Sequence, residues 1–208
     1  MEDRFVAQCL PLAARTILHR PPSILFRMAP MVMKTSSALL AKLKAVKLFL
    51  CDVDGVITDG AVYMGGGVET KRFNIRDGLG LKFLQRHGIK VGWVSRRPSD
   101  ATRQRADDLK IDFLVQHQGG KIEGVESILR QTGLNWGDIC YVGDDVVDIG
   151  VIKRVGLGVA VGDGVAEAKA AAGYVTRAHG GDGAIREIVE MILKAQNKWK
   201  LVVSEYAN

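Results

Sequence analysis

Short uninterrupted apolar runs punctuate the chain, and between them lie segments whose apolar positions return every three or four residues. The first run, Lys47-Leu-Phe-Leu-Cys51, ends at Asp52. Apolar side chains at successive positions mean burial on both faces, as in a parallel strand covered by helices. Runs at 91–95, 112–115, 138–142 and 157–161, with the pair Tyr174-Val175, extend the set of strands. The segments between them predict helices. One covers 77–87, with Asp77 as cap and Gly88 as stop; a polar one covers 99–109. Another, over 121–131, turns Ile122, Val125, Ile128 and Leu129 inward and stops at Gly133. A short helix follows Asp145, an alanine-rich one lies after 161, and in the last helix Ile185, Ile188, Val189, Ile192 and Leu193 share one face. One stretch breaks the alternation: residues 61–64 and 68–73 flank Gly65-Gly66-Gly67 and predict a β-hairpin.

Strands alternating with helices at this spacing predict a doubly wound parallel α/β sheet. Right-handed crossovers bring the C-terminal ends of its strands to one edge, where ligands bind. The polar residues at those ends are Asp52, Asp54, Ser95, Lys121, Asp144, Asp145 and Asp148. Five carboxylates, a hydroxyl and a lysine thus converge on one edge.

Composition changes the picture mainly at the N-terminus. None of the 24 glycines precedes Gly55, whereas four of the five prolines lie in the first 30 residues. Five of the 29 lysines and arginines, but two of the 23 acids, fall within the first 34. Residues 1–37 therefore read as an extension: a dispensable or misassigned start in preference to a targeting peptide or a structural arm. The domain spans 38–198, its first residues (38–46) forming a lysine-bearing lead-in, and 199–208 form a C-terminal tail. With the extension set aside the charge is only mildly basic, which does not favour nucleic acid as a partner. No run approaches the roughly 18 apolar residues of a membrane span. Cys9, Cys51 and Cys140 cannot build a disulfide framework, and two of them sit in strands, as in a reduced cytoplasmic protein.

Carboxylates this close cannot all ionise without a cation, and an all-oxygen set beside a lysine suits Mg²⁺ and a phosphoryl group. Asp52 at a strand end can attack phosphorus in line and form an aspartyl-phosphate. Asp54, two residues on and on the same side, can protonate the leaving oxygen and then activate water. Ser95 and Lys121 can fix the phosphoryl oxygens. Asp52, Asp54 and Asp144 are the expected metal ligands, with Asp145 and Asp148 in support. Other motifs fail. An EF-hand loop is excluded by Val56 and Ile57, a P-loop by Ile122 after Gly120-Lys121, and a dinucleotide loop by the missing third glycine after Gly156 and Gly162. His87, His117 and His179 lack zinc spacing.

Four motifs in order, Asp52-Val-Asp54-Gly55-Val-Ile-Thr58-Asp59-Gly60, Ser95, Lys121 and Gly143-Asp144-Asp145-Val-Val-Asp148, resemble the haloacid dehalogenase superfamily over roughly residues 45–195. The glycine-tipped hairpin, Phe73-Asn-Ile-Arg76-Asp77-Gly78 and the tail Thr176-Arg177-Ala-His-Gly180-Gly181-Asp182-Gly183-Ala184 are similar to the capless 3-deoxy-D-manno-octulosonate 8-phosphate phosphatases. That resemblance implies a haloacid dehalogenase-like core with a β-hairpin flap and no cap domain. It also implies a Mg²⁺-dependent cytoplasmic homotetramer acting on a phosphorylated acidic sugar in lipopolysaccharide synthesis. The alternatives are a phosphatase of a sialic-acid-like sugar 9-phosphate and a catalytically weak interaction module. Substrate contacts are expected from Thr58, Arg76 and Arg97, and from Lys71 and Arg72 on a neighbour's hairpin. The sequence departs from the family at Ser95-Arg96-Arg97, where Thr-Gly-Arg is usual, and at Asp182, where a base is frequent.

Overall fold

A computed structural model describes residues 36–207. Most of the extension expected over 1–37 lies outside them. The lead-in is helix α1 (Ser37–Ala45), started by the Ser36 hydroxyl, which accepts from the Leu39 N–H at 3.2 Å. Strand β1 (Leu48–Cys51) is buried throughout. The hairpin follows as β2 (Tyr63–Gly65) and β3 (Val68–Thr70), shorter than the apolar pattern suggested. Gly66 and Gly67 both have positive φ, 58° and 79°, the two-residue turn that matches strand twist and that other residues resist.

Helix α2 (Ile75–Arg86) corrects one expectation. Its cap is Asn74, whose side chain accepts from Arg76 and Asp77 N–H groups. Asp77 instead faces a helix more than a hundred residues away. After β4 (Lys90–Ser95) come α3 (Asp100–Leu109), capped by Ser99, then β5 (Phe113–Gln116) and α4 (Lys121–Thr132), closed by Gly133 at φ 68°. Strand β6 (Ile139–Gly143) leads through a 3-10 turn (Val146–Asp148) into α5 (Ile149–Ile152). Then β7 (Leu157–Ala160), α6 (Ala166–Ala171), β8 (Tyr174–Val175) and α7 (Ala184–Ala195) complete the alternation. The N-terminus of α7 has a glycine, Gly183, at its cap position, so it lacks a side-chain cap of its own. The Asp77 carboxylate fills that role, accepting from Gly183 N–H at 3.1 Å and Arg186 N–H at 2.7 Å. The segment set apart as a tail carries α8 (Trp199–Glu205). Its Trp199 meets Phe83 edge-on, and the Arg186 guanidinium lies 5.1 Å and 5.2 Å from the two rings.

Among the described residues, six parallel strands form one sheet in the order β5-β4-β1-β6-β7-β8. Alternation along β1 sends Phe49 and Cys51 to one face and Leu48 and Leu50 to the other. The first face is covered by α1, α2, α3, α7 and α8 and holds Leu81, Leu84, Ile185 and Ile188. The second is covered by α4, α5 and α6 through Val125, Ile128, Val151 and Ala168. The strand order reverses at β1, whose successors lie to either side, so a crevice opens where β1 and β6 end. No described helix is long and apolar enough to cross a membrane.

Candidate active site

Asp52 leaves β1 still hydrogen-bonded to the sheet, its N–H donating to the Val142 carbonyl at 3.0 Å. Lys121, the first residue of α4, reaches into the same crevice. Its Nζ lies 2.6 Å from Asp52 Oδ2 and 2.5 Å from Asp148 Oδ1. A cation at a helix N-terminus opposes the macrodipole, and two carboxylates compensate it here. Burial alone would lower the lysine's pKa, but Asp52 and Asp148 outweigh it and hold the ammonium above its usual value. Asp148 is fully engaged. Its Oδ1 also accepts from the Tyr141 hydroxyl at 2.6 Å, and Oδ2 accepts from the N–H groups of Asp144 and Asp145 at 3.1 Å and 3.3 Å. Four donors use up a carboxylate's acceptor capacity, so Asp148 anchors the loop. Asp145 starts the 3-10 turn by accepting from the Val146 N–H.

Asp144 is different. Among the described residues its buried Oδ1 has neither a hydrogen-bond partner nor an ion pair, and it belongs with Asp52 and Asp148 to a group whose oxygens lie within 4.8 Å of one another. Among the described residues, Asp52 Oδ1 accepts only from the adjacent Val53 N–H, at 2.7 Å. Burial pushes the Asp144 carboxyl up to about 7, reinforced by Asp52 and Asp148. Burial likewise pushes Asp52 up to about 6, with Lys121 opposing and Asp148 adding to the rise. An unpartnered buried oxygen among anions that resist joint ionisation fits a hard, oxygen-loving cation such as Mg²⁺. Close backbone approach makes room for this group. A Cβ on Gly55 would sit 2.2 Å from Asp144 Oδ2, and one on Gly180 would sit 1.8 Å from the Gly55 carbonyl oxygen.

Asp54 stands outside that carboxylate group. Its Oδ1 lies 2.7 Å from Nζ of Lys71, which follows β3. The Lys71 side chain is buried in its own chain, donating also to Thr102 Oγ1 at 3.1 Å and pairing with Glu69 Oε1 at 3.6 Å. Glu69 in turn accepts from the Ser99 hydroxyl at 2.6 Å and from the Arg97 guanidinium. Lys71 and Arg97, expected at the substrate, are thus engaged by the flap. Ser95 ends β4 with its hydroxyl accepting from Arg97 N–H at 3.1 Å and donating to the Arg97 carbonyl at 3.2 Å. Thr58 is fully buried and braces the loop, donating to Val53 O and accepting from Gly60 N–H. Arg72 is turned to Asp59 at 3.1 Å and Asp182 at 3.8 Å, so the acid at that tail position answers a base on the flap. Arg76 opens on a separate surface cavity of about 350 Å³ with Arg177 and Arg186.

Three contributors escaped the sequence reading. Tyr141 was signalled by a phenol within an otherwise apolar strand. Glu69 was signalled by a charge two residues before Lys71, on the same strand face. Thr102 left no signal, because its partner lies 31 residues away.

Residues 113–188 match the family model of haloacid dehalogenase-like hydrolases. The 3-deoxy-D-manno-octulosonate 8-phosphate phosphatase KdsC of Yersinia pestis is 41% identical over 154 residues, 74% of this chain and 82% of that protein. The chain belongs to this phosphatase family. KdsC of Escherichia coli strain K12 is 38% identical over 164 residues, 78% of this chain and 87% of that protein. The structure of 3-deoxy-D-manno-octulosonate 8-phosphate phosphatase from Moraxella catarrhalis, in complex with magnesium ion, phosphate ion and KDO, superposes with a TM-score of 0.78. It shares 35% identity, covering 80% of this chain and 97% of that one. As a member of the KdsC phosphatase family, the chain is a phosphoric monoester hydrolase with the haloacid dehalogenase-like α/β core.

Proposed function

We propose that the protein hydrolyses 3-deoxy-D-manno-octulosonate 8-phosphate to the free sugar acid and phosphate in lipopolysaccharide sugar synthesis, with Mg²⁺ as cofactor. Beyond the kinship, the observation that carries this reading is the buried, unpartnered Asp144 oxygen beside Asp52. Asp52 and Asp144 would hold the Mg²⁺, which supplies positive charge against the phosphoryl oxygens. Asp52 attacks phosphorus, its C–O–P bond forming as the bond to the sugar oxygen breaks. Lys121, fixed by Asp148, keeps the nucleophile oriented and offsets charge on the phosphoryl group. Asp54 gives its proton to the departing sugar oxygen, then takes one from the water that cleaves the aspartyl-phosphate. Ser95 donates to a phosphoryl oxygen once it exchanges its 3.2 Å bond to the Arg97 carbonyl.

The assembly reading is a homotetramer in the cytoplasm. Exposed Tyr63, Met64, Val68 and Ile75 on and beside the flap supply an apolar face for a neighbour. Through that contact Arg72 or Arg76 of one copy can reach the sugar acid in another. Cys51 and Cys140 are buried unpaired thiols, as suits a reducing compartment.

The test is phosphate release with Mg²⁺ from the eight-carbon acid phosphate, a nine-carbon sialic-acid-like phosphate and neutral hexose phosphates. The highest kcat/KM is expected on the first, with activity lost in chelator. Preference for the nine-carbon substrate would move the assignment to that sugar class, and activity undiminished without metal would overturn the site. In calorimetry, Mg²⁺ should bind the native protein and fail to bind Asp144→Ala.

A further inference from the structure

We propose that Lys71 is the positioning residue for Asp54, so that the flap aims the acid–base carboxylate. This rests on the reading of Asp54 as acid and base given above.

The argument begins with burial. The Lys71 side chain is wholly buried, which an ammonium tolerates only when its charge and donors are met. The charge is met by two carboxylates, with Asp54 Oδ1 at 2.7 Å and Glu69 Oε1 at 3.6 Å, and one donor is taken by Thr102 Oγ1 at 3.1 Å. The side chain is wholly buried against these groups, so the ammonium is not open to a substrate. The tie to Lys71 is an ion pair: Asp54 Oδ1 is buried and makes no hydrogen bond, and the side chain, 26% exposed as a whole, has no other ion pair or hydrogen bond among the described residues. One oxygen is therefore clamped from within, and the other is left to face the crevice. Without the clamp, a carboxylate on a loop beyond a strand end would rotate about its side-chain torsions. A misplacement of about 1 Å at a reacting group can cost on the order of a hundredfold in rate.

The clamp belongs to the flap. Glu69 and Lys71 lie on one side of β3 and its extension, and Glu69 ties that strand to Arg97 and Ser99 at the end of β4. Acid–base geometry therefore depends on the flap being seated, although no flap side chain need touch the sugar.

The experiment compares Lys71→Met and Thr102→Val with wild type and Asp54→Asn. Thr102→Val keeps shape and removes one of the lysine's three partners, so it still reports if Lys71→Met does not fold. First-turnover release is measured with two substrates, the sugar phosphate and an aryl phosphate whose leaving group needs no proton. Asp54→Asn should lose about 10²–10⁴-fold on the sugar phosphate and far less on the aryl phosphate. Lys71→Met should show the same selectivity at smaller amplitude, about ten- to a hundredfold on the sugar phosphate, with KM unchanged. Thr102→Val should lose a few-fold on the sugar phosphate alone. Equal losses on both substrates, or a raised KM with kcat intact, would overturn the proposal, the second pointing to direct sugar contact. If Asp54→Asn itself shows no selectivity, the acid–base reading of Asp54 has failed. If it does and the other two variants do not, only the role of Lys71 has.

Discussion

Lys121 and Lys71 are each buried between two carboxylates, yet the two clusters are built from different parts of the molecule. Lys121 opens a core helix, and its partners, Asp52 and Asp148, follow the two central strands at distances of 2.6 Å and 2.5 Å. Every oxygen of Asp148 is tied to strand or loop. Lys71 follows a short strand whose neighbours Tyr63, Met64 and Val68 are exposed, and its second carboxylate stands off at 3.6 Å. The first cluster is part of the sheet. The second exists only while the flap lies against α3 and the end of β4. On the roles proposed above, the nucleophile and its charge partner sit on the sheet, whereas the proton-transferring carboxylate is held by the flap.

The largest effect should come from the sheet-borne cluster. Asp52→Asn replaces the proposed nucleophile with an amide and should abolish the phosphoenzyme, read as acid-stable label after quenching with labelled substrate. Asp54→Asn should instead accumulate label, because hydrolysis of the intermediate slows. Label on the Asp52 variant would reverse the two roles.

Stability separates the clusters next. Asp148→Ala strips Lys121 of one anion and leaves Tyr141 and two loop N–H groups unsatisfied, so it should cost about 3–5 kcal/mol in urea unfolding. Lys71→Met should cost less, because Glu69 keeps Arg97 and Ser99 and Asp54 can rotate toward water. Equal costs would mean that the flap is as rigidly part of the core as α4. Between these lies Gly180→Ala. Its added methyl would overlap the Gly55 carbonyl oxygen, pushing the tail loop off the nucleophile loop at a cost of about 1–3 kcal/mol. Mg²⁺ affinity should fall with it, since Gly55 is what leaves room for Asp144. A variant as stable as wild type, with its affinity intact, would show that the two loops yield freely.

Legibility in the sequence followed the same division. The strand ends could be read because each apolar run stops at a polar residue, and the four-motif order placed Asp52, Lys121 and Asp144 on one edge. The last helix could be read from Ile185, Ile188, Val189, Ile192 and Leu193, all of which are buried. What could not be read was carried by pairs distant in the chain. Asp77 looks like the cap of the helix in which it sits, but it caps α7, 106 residues on, because that helix starts at a glycine. Thr58 looks like a motif residue available to substrate, but its hydroxyl is consumed by its own loop. Lys71 looks like a flap base reaching outward; strand alternation puts it on the side of Glu69, and only the fold shows that this side faces Asp54.

The smallest effect tests the seam between the two clusters. Hydrogen bonds from Arg97 and then Ser99 hold the Glu69 carboxyl down from the usual 4.5 to about 2, helped by the charges of Lys71 and Arg97. A depressed folded-state pKa stabilises the fold fully above the unfolded value and loses that contribution as pH falls through the folded one. The stability difference between wild type and Glu69→Gln should therefore stay flat above pH of about 5.5 and shrink steadily below 4.5. It should be nearly gone by pH 2. Raising the salt concentration should shrink it at neutral pH as well, because Arg97 is 44% exposed and its charge is open to screening. The measurement is a set of paired urea titrations across that range. A difference that persists unchanged to pH 3 would mean that Glu69 holds the flap through packing alone, and that the tie between flap and β4 is not ionic.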